Sequence, residues 1–316
     1  MRTALVIGAN GQDGRLLTGS LLERDYAVRG WTRTPPAAPA PCECAAVDLL
    51  DAGRVEREIK RLSPDEIYYL AAYHHSTEDR VEVSATELLR RSFEVHVVGL
   101  LNVLHSAKVS CPEARLFYAA SSHVFGTPVG ELQDEQTPLR PTSAYGISKA
   151  AGIRCCQLAR RDGIFAACGI LFNHESALRR PSFLSQKIVR GALRARRDPN
   201  YRLALGDLDA RVDWGYAPDY VDAMFRILQL PEPSDFVVAS GELHSVREFA
   251  EAAFGAVDLD WQRHVVADAR LLNRKSHPFR GDFTSLRLAT GWKPSLSFSQ
   301  LVATLVRDTQ NAYESC

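Results

Sequence analysis

Two short segments of this 316-residue chain carry side chains that could move a proton. Tyr145 and Lys149 stand four residues apart, and Ser121, Ser122 and His123 precede them. On a helix, a Tyr and a Lys at this spacing lie on the same face about one turn apart. Since a nearby ammonium favours the phenolate, we expect the pKa of Tyr145 to be lowered toward neutrality. The pair therefore predicts a base for an alcohol proton.

The first residues of the chain predict a site for a dinucleotide. An apolar run over 4–7 ends in three glycines spaced three apart, after which leucines recur at helical spacing. Such a turn lets the backbone approach a pyrophosphate at a helix N-terminus. The alternative is an ordinary glycine-rich turn, but a second strand over 26–32 favours the nucleotide. The predicted cofactor-binding residues of the turn are Gly8, Asn10, Gly11, Gln12, Asp13 and Gly14.

The end of the predicted second strand indicates which dinucleotide is bound. An NAD-preferring site usually has an acidic residue here for the ribose 2′-hydroxyl. This chain has Arg33, whose charge suits a 2′-phosphate, so we predict NADP(H). The alternative is that Arg33 is an exposed residue whose stem runs along the surface.

The composition gives no reason to expect a nucleic acid or a membrane as partner. The chain has 38 Lys and Arg against 38 Asp and Glu, a formal net charge of zero. No apolar run reaches the roughly 20 residues that span a bilayer, and the chain opens on a strand instead of a secretory leader. Its seven cysteines show no paired metal-binding spacing, which favours reduced thiols and a cytoplasmic enzyme.

Strand-like runs and helical patterns alternate along most of the chain. The predicted strands after the first two are 45–49, 66–72, 115–121, 165–172 and 236–239. The predicted helices include 54–62, 86–108, 145–161, 184–196 and 220–229. This alternation predicts an α/β fold, a Rossmann-like doubly wound parallel sheet.

The pattern changes after residue 172, which predicts two parts. We expect an NADP-binding domain over 1–172, with returns to the main sheet at about 212–240. Most of 173–316 then forms a smaller C-terminal substrate-binding lobe over the carboxyl ends of the strands, where ligands bind in this fold. The Pro- and Ala-rich segment 34–41 is interpreted as a loop.

Histidines recur near the predicted cleft and raise the question of a metal. The residues concerned are His74, His75 and His174. Two of them are adjacent, and none shares a metal-ligand spacing with a carboxylate. We therefore predict no metal.

Several blocks along the chain resemble the extended short-chain dehydrogenase/reductases and, within them, the GDP-mannose 4,6-dehydratase family. The resemblance covers essentially the whole chain, and the blocks 170–176 and 244–249 are specific to this subfamily. The matching blocks are 8–14, 169–176, 205–210, 213–215, 219–221, 240–249 and 291–294.

This resemblance implies roles for individual residues. Ser121, Tyr145 and Lys149 stand where the family has its catalytic hydroxyl residue, Tyr and Lys. Beyond the glycine-rich turn, the implied cofactor contacts are Arg33, Asp48, Leu49, Leu70, Ala71, Ala72, Tyr145, Lys149, His174 and Arg179. The implied substrate contacts are Ser122, Asn173, Glu175, Lys187 and Arg211.

The reaction that the resemblance implies is dehydration of a nucleotide-sugar, most closely a GDP-hexose. C4 is oxidised by hydride transfer to NADP, water is lost across C5 and C6, and the hydride returns to C6. His123 replaces the family's Glu, and an imidazole has an ordinary pKa near 6.5, which suits the base at C5. Alternatively, His123 is a hydrogen-bonded residue without a catalytic role.

Two other functions remain open on the same sequence. One is a C4 reductase or epimerase on a related nucleotide-sugar, which would need no base at position 123. The other is a non-catalytic NADP(H)-binding regulator, which would have no use for Ser121, Tyr145 and Lys149 together.

Departures from the family pattern bear on the substrate and on assembly. Val212 replaces an Arg, with Arg211 one position earlier, and 33–36 replaces the loop around which the family tetramer forms. We therefore expect a C2 homodimer through the helices 86–108 and 145–161. The apolar residues expected at its interface are Val97, Val98, Leu101, Ile153 and Leu158.

Overall fold

The fold is built on a parallel sheet with helices on both faces. The computed structural model describes residues 1–34, 41–74, 83–127, 130–271 and 279–314. Its strands are β1 (Thr3–Ile7), β2 (Ala27–Thr32), β3 (Glu43–Ala46), β4 (Glu66–Tyr69), β5 (Arg115–Ala119), β6 (Leu132–Gln133), β7 (Ala166–Leu171), β8 (Asn173–Glu175), β9 (Leu203–Leu205), β10 (Arg211–Val212), β11 (Trp214–Tyr216), β12 (Asp235–Val238), β13 (His244–Ser245), β14 (Val265–Ala267) and β15 (Arg280–Gly281).

The α-helices alternate with the strands in the first half of the chain. They are α1 (Gln12–Leu22), α2 (Ala52–Leu62), α3 (Ala85–Phe93), α4 (Gly99–Ser110), α5 (Ala144–Arg161), α6 (Leu184–Arg197), α7 (Ala217–Leu228), α8 (Val246–Gly255), α9 (Thr284–Thr290) and α10 (Phe298–Glu314). Among the described residues, no helix is long and apolar enough to cross a membrane.

Seven strands form one sheet in the order β12-β7-β5-β4-β1-β2-β3, with every neighbouring pair parallel. The apolar run of β1 is buried throughout Ala4–Ile7 because helices cover both faces of a parallel sheet. In the register, Ile7 lies beside Trp31 and Tyr69, so β1, β2 and β4 end at the same edge. The predicted α/β fold class is confirmed.

The second half of the chain both returns to this sheet and builds its own core. β12 extends the sheet beside β7, and α7 packs on α1. Residues of α6, α8 and α10 form a separate apolar cluster that includes Ile188, Phe249 and Val302. The division at residue 172 stays a prediction.

Three predicted strands extend too far at their carboxyl ends. The strand predicted over 66–72 ends at Tyr69, 115–121 ends at Ala119, and 165–172 ends at Leu171. Their apolar continuations leave the sheet and line a cavity at its edge. The strand predicted over 45–49 is wrong by a larger margin, since β3 covers Glu43–Ala46 beside β2.

The helix predicted over 86–108 is interrupted. A π-helical turn over Glu94–Val98 separates α3 from α4. Carbonyl groups of this turn accept hydrogen bonds from two buried phenols: Tyr69 donates to Val95 and Tyr118 donates to His96. A π turn places one extra residue in a helix, and such turns occur frequently at functional sites.

Candidate active site

A cavity of about 1100 Å³ opens at the carboxyl edge of the sheet. Ligands bind at this edge in open α/β sheets. The predicted site residues that line it are Gly8, Asn10, Gly11, Gln12, Asp13, Arg33, Asp48, Leu49, Leu70, Ala71, Ala72, Ser121, Ser122, His123, Tyr145, Lys149, Asn173, His174 and Arg179. The fold therefore brings most of the predicted residues to one place.

The glycine-rich turn has the close backbone approach that a dinucleotide requires. Gly8 has a φ of +95°, and a Cβ atom on it would lie 2.8 Å from the backbone nitrogen of Ala71. Gly14 does not line the cavity. A Cβ on it would overlap the Gly8 carbonyl, so its lack of a side chain lets α1 pack on the turn. Gly11 caps α1 without a side chain, which leaves the helix N-terminus able to bind phosphate. These features fit a dinucleotide.

An ion pair joins the glycine-rich turn to β8. His174 places its Nε2 atom 3.0 Å from the carboxylate of Asp13 and its Nδ1 atom 2.7 Å from the carbonyl of Phe172. Both partners are acceptors, so both ring nitrogens donate and the imidazole is protonated. Burial acts to lower the pKa of His174, but the Asp13 carboxylate outweighs it and the pKa is raised. The pKa of Asp13 is lowered to about 2, because His174 and other donors outweigh the opposing effect of burial.

This ion pair gives the protein a characteristic dependence on pH. The contribution of His174 to stability is present below the ordinary histidine pKa and is lost as pH rises through its raised folded value. Asp13→Asn removes the carboxylate, so burial outweighs the remaining hydrogen bond to the Phe172 carbonyl and the slope should reverse, with stability falling on acidification. We therefore expect the stability of the unmutated protein to fall and that of Asp13→Asn to rise as the pH increases through the histidine range. Urea unfolding at pH 5.5–8.5 measures it, with exposed Asp162→Asn as the control.

Gln12 strengthens the same junction. Its amide donates to the carbonyl of His174 at 3.1 Å and accepts a hydrogen bond from the hydroxyl of Ser176 at 2.9 Å. The segment after β7 is thereby fixed against the start of α1. Asn173 and His174 are consequently held on the cavity wall.

Tyr145 and Lys149 lie on α5, which begins where Ser143 accepts a hydrogen bond from the amide of Gly146. Lys149 is 1% exposed, and its ammonium donates to the carbonyl of Ala119 at 2.7 Å. The Nζ atom lies 5.7 Å from the centre of the Tyr145 ring. The side chains of Tyr145 and Lys149 therefore lie close together, as the sequence predicts.

The predicted lowering of the Tyr145 pKa is wrong for this structure. Burial raises the pKa of Tyr145 to about 12, although the charge of Arg179 and a hydrogen bond with Ser121 act in the opposite direction. Burial also lowers the pKa of Lys149 to about 7. Burial therefore dominates both groups: the phenol is protonated at neutral pH, and Lys149 changes charge near pH 7.

Three imidazole rings surround the ring of Tyr145. Their centres lie 5.1 Å away for His74, 5.2 Å for His96 and 5.6 Å for His123, all nearly perpendicular to it. His123 is exposed within the short 3₁₀ turn that Ser121 begins, where its amide donates to the Ser121 hydroxyl at 3.4 Å. Ser121 and His123 are thus placed beside the phenol, as predicted.

The sequence offered no signal for His96, and it singled out His74 only as a metal candidate. His96 reaches Tyr145 because of the π turn, which helical periodicity does not anticipate. His75 lies outside the described residues. Among the residues that the structure describes, no group of three or more His, Cys, Asp or Glu side chains could hold a metal ion.

Some predicted substrate residues lie away from the cavity lining. Glu175 is buried, accepts from the Ser185 hydroxyl at 2.5 Å and pairs with Arg179 at 3.3 Å, so it positions a lining residue. Lys187 lies in α6, and exposed Arg211 lies in β10, 3.5 Å from Glu131. Substrate binding by these side chains stays a prediction.

Other lining residues were not anticipated from the sequence. They come from the segment after β4, from α3 and the π turn that follows it, and from the segment that leads into α6. They include Tyr73, Arg90, Arg91, Glu94, Arg180 and Phe183. The segment 180–183 could have been found from its position directly after the implied cofactor contact Arg179, whereas the α3 residues depend on how that helix packs.

The parallel sheet, the glycine-rich turn at the first helix and the Tyr-Lys pair beside it define an extended short-chain dehydrogenase/reductase. A family model described as GDP-mannose 4,6 dehydratase matches residues 5–305. The chain belongs to this family.

Relatives from distant organisms are similar in sequence to this chain over nearly its full length. The chain is 36% identical to GDP-mannose 4,6 dehydratase 1 of Arabidopsis thaliana, covering 96% of this chain and 89% of that protein. It is 33% identical to the GDP-mannose 4,6 dehydratase of Homo sapiens, covering 96% and 90%.

Solved structures share the fold at lower identity. A putative epimerase from Burkholderia cenocepacia superposes with a TM-score of 0.84 at 24% identity, covering 98% of each chain. The dTDP-glucose 4,6-dehydratase of Bacillus anthracis, solved with NAD, gives 0.83 at 17% identity, covering 99% of this chain and 98% of that one.

Proposed function

We propose that the protein is an NADP-dependent nucleotide-sugar 4,6-dehydratase that acts on a GDP-hexose, with GDP-mannose as the first substrate to test. The observation that carries this proposal is the convergence of Ser121, His123, Tyr145 and Lys149 in the cavity that also contains the glycine-rich turn. The names of the family and of its relatives support the substrate.

The residues of the cavity divide the chemistry among them. A bound nicotinamide would accept a hydride from C4 and later return it to C6. The glycine-rich turn, Arg33, His174 and Arg179 would hold the cofactor. Ser121 hydrogen-bonds the reacting C4 oxygen and keeps it beside the Tyr145 phenol, which exchanges the proton of that oxygen. Lys149 changes charge near neutral pH and so assists transfer from the phenol.

The second stage needs a base for the proton at C5. Oxidation at C4 makes this proton acidic because the new ketone stabilises the adjacent carbanion. His123 lies on the cavity wall beside Tyr145 and takes this role. When the hydride has returned to C6, the same imidazolium gives a proton back to C5.

Incubation with GDP-mannose and NADP⁺ tests the proposal. Mass spectrometry should show a product that has lost one water, with no net change in the cofactor. A product of unchanged mass, or one that differs by two hydrogens, would support the epimerase or reductase instead. The observation that favours this second candidate is His123 in place of the family's Glu. Binding of NADP(H) without turnover of any nucleotide-sugar would support a regulator.

Arg33 supports the choice of NADP(H) over NAD(H). It directly follows β2 and lines the cavity with Asp48 from the end of the neighbouring strand. An exposed guanidinium at this position can pair with the 2′-phosphate, which only NADP(H) carries.

Arg33→Ala should narrow the preference for NADP(H) over NAD(H). We expect a loss of about 1.5–3 kcal/mol in NADP(H) binding, the size of a charged hydrogen bond, and little change for NAD(H). Isothermal titration of both cofactors measures the difference. Arg29→Ala is the matched control, because Arg29 lies on the same strand beside Glu43 and outside the cavity lining. Equal affinities in the unmutated protein would rule out the assignment.

We also infer a homodimer through α4 and α5. Val98 at the end of the π turn, Leu101 on α4 and Leu158 on α5 are 44%, 45% and 60% exposed, and exposed apolar residues on neighbouring elements favour an interface. Ile153 does not belong to this surface, since it is 1% exposed and packs in the core, so its predicted place at an interface is wrong.

Sedimentation should show a dimer at micromolar concentration. Leu158→Arg should shift it to monomer, because a charge would have to be buried at the interface. Leu288→Arg, at an exposed leucine of α9, should leave the dimer intact. A monomeric unmutated protein contradicts the inference.

A cytoplasmic location completes the proposal. The cysteines among the described residues are Cys42, Cys44, Cys111, Cys155, Cys156 and Cys168, all free thiols. Free thiols are typical of reducing compartments. Balanced charge supports the absence of nucleic-acid and membrane partners.

A further inference from the structure

The three histidines around Tyr145 differ in what their ring nitrogens can do. His96 is fully buried and does not line the cavity. Its Nε2 atom accepts from the backbone amide of Tyr73 at 3.0 Å, so its Nδ1 atom carries the proton, 2.7 Å from the Ser148 hydroxyl. The Ser148 hydroxyl donates in turn to the Tyr145 carbonyl. One nitrogen of His96 therefore holds α5 and the other holds the segment after β4, so His96 positions Tyr145 without carrying protons to substrate.

His74 and His123, in contrast, both line the cavity. His123 follows β5 and stands beside Ser121, whereas His74 follows β4 at the end of the segment 70–74, which lines the wall continuously. The two imidazoles thus approach the same phenol from different segments of the chain.

The surroundings of His74 direct it toward substrate. Its ring lies between Tyr145, at 5.1 Å, and Phe183, at 5.5 Å with an angle of 30° between the planes. Phe183 is the residue from which α6 begins, in the part of the chain expected to cover the substrate. A sugar whose C4 oxygen contacts Tyr145 would therefore have His74 at its side.

Elimination of water needs two proton transfers at different atoms. A base must remove the proton from C5, and an acid must protonate the hydroxyl that leaves C6, because hydroxide is a poor leaving group. Each positioned acid or base of this kind typically raises the reaction rate by about 10²–10⁴-fold.

We propose that His74 is the general acid that protonates the departing C6 hydroxyl, while His123 is the base at C5. This assignment rests on the proposed dehydratase function. It makes His74 a catalytic residue in its own right, whereas the proton of His96 is held at the buried Ser148 hydroxyl.

The proton and electron balance closes over one turnover. His123 takes the C5 proton, the C5–H electron pair forms the C5–C6 double bond, and the C6–O bond breaks with its pair. The leaving oxygen takes a proton from the His74 imidazolium and departs as water. Once a bound nicotinamide had returned its hydride to C6, the His123 imidazolium would protonate C5. His74 gives up one proton in each turnover, and oxidation at C4 releases one proton from the C4 oxygen. The proton count is therefore balanced when His74 is protonated again.

Solvent deuterium separates the two histidines. The full-length protein is incubated in heavy water with GDP-mannose and NADP⁺, and both substrate and product are examined by mass spectrometry and NMR. His74→Phe keeps the aromatic packing between Tyr145 and Phe183 but removes the proton. It should lose water at least about 100-fold more slowly than the unmutated protein, while recovered substrate gains deuterium at C5, because oxidation and the base remain. His123→Phe should lose water equally slowly, with no deuterium at C5.

Controls make each outcome decisive. His74→Gln should repeat the result of His74→Phe, and both should bind NADP⁺ with unchanged affinity, which shows an intact fold. His244→Gln removes a histidine outside the cavity and should dehydrate at the normal rate. Dehydration by His74→Phe within about threefold of the normal rate overturns the assignment, and so does a failure of this variant to exchange deuterium at C5. An unmutated protein that releases no water refutes the proposed function itself, which is a separate result.

Discussion

Tyr145→Phe is expected to lower turnover by about 10²–10⁴-fold while leaving cofactor affinity nearly unchanged. The substitution keeps the ring, and with it the packing against His74, His96 and His123, but removes the hydroxyl that exchanges a proton with the C4 oxygen. This range is what a positioned acid or base usually contributes. Single-turnover measurement of cofactor reduction is the direct assay, since the loss should appear in the first hydride transfer.

A surface tyrosine provides the control for this experiment. Tyr313 lies on α10, and its phenol hydroxyl accepts a hydrogen bond from Arg190 at 2.6 Å. Tyr313→Phe removes this hydroxyl and should leave turnover unchanged. If Tyr145→Phe turned over at the unmutated rate, Tyr145 would have no part in the mechanism, and the proposed division of roles would fail with it.

His123→Ala is expected to stop water loss and to leave oxidation at C4 in place. Without its base, the enzyme should reduce the cofactor once and then stall, so NADPH absorbance should accumulate toward one equivalent per site. In the unmutated protein, the rate of water loss should rise and then fall with pH, because His123 must lose its proton to act as the base while His74 must keep its proton to act as the acid.

His123→Glu distinguishes a base from a residue that only fills space. It introduces the carboxylate that the family resemblance implies at this position, so it should recover dehydration with the rising part of its pH profile shifted to lower pH, because a carboxyl group titrates lower than an imidazole. Full dehydration by His123→Ala would remove His123 from the chemistry. A nucleotide-sugar product formed without loss of water would assign the site to a reductase or epimerase.

The sequence predicted those parts of the site that follow directly from local pattern. The glycine spacing located the turn, and the four-residue interval placed Tyr145 and Lys149 together on α5. It was wrong about the direction of the Tyr145 pKa, because the spacing reports which charge is near but not how much water the fold removes. Burial depends on residues far apart in sequence, and here it dominates both groups.

Ile153 shows the same limit in packing. Apolar residues on α5 face either the sheet or the outside, and composition alone does not separate them. Leu158 points outward whereas Ile153 packs against the core of the sheet. The approach of His74 and His96 to Tyr145 likewise needed three-dimensional information, since three separate segments must end beside one ring.

The π turn between α3 and α4 makes residues 94–98 sensitive to the deletion of a single residue. Each residue of an α-helix advances it by about 100°, so the extra residue in 94–98 rotates everything after it relative to α3. Deleting one residue there would restore regular helical phase, yet it would turn His96 away from Ser148 and redirect the exposed face of α4 that contains Leu101. The extra residue of the π turn thus fixes the orientation of two features: the support of Tyr145 inside the protein and the apolar surface on its outside. Single-residue deletions should consequently be tolerated far less in 94–98 than conservative substitutions at the same positions.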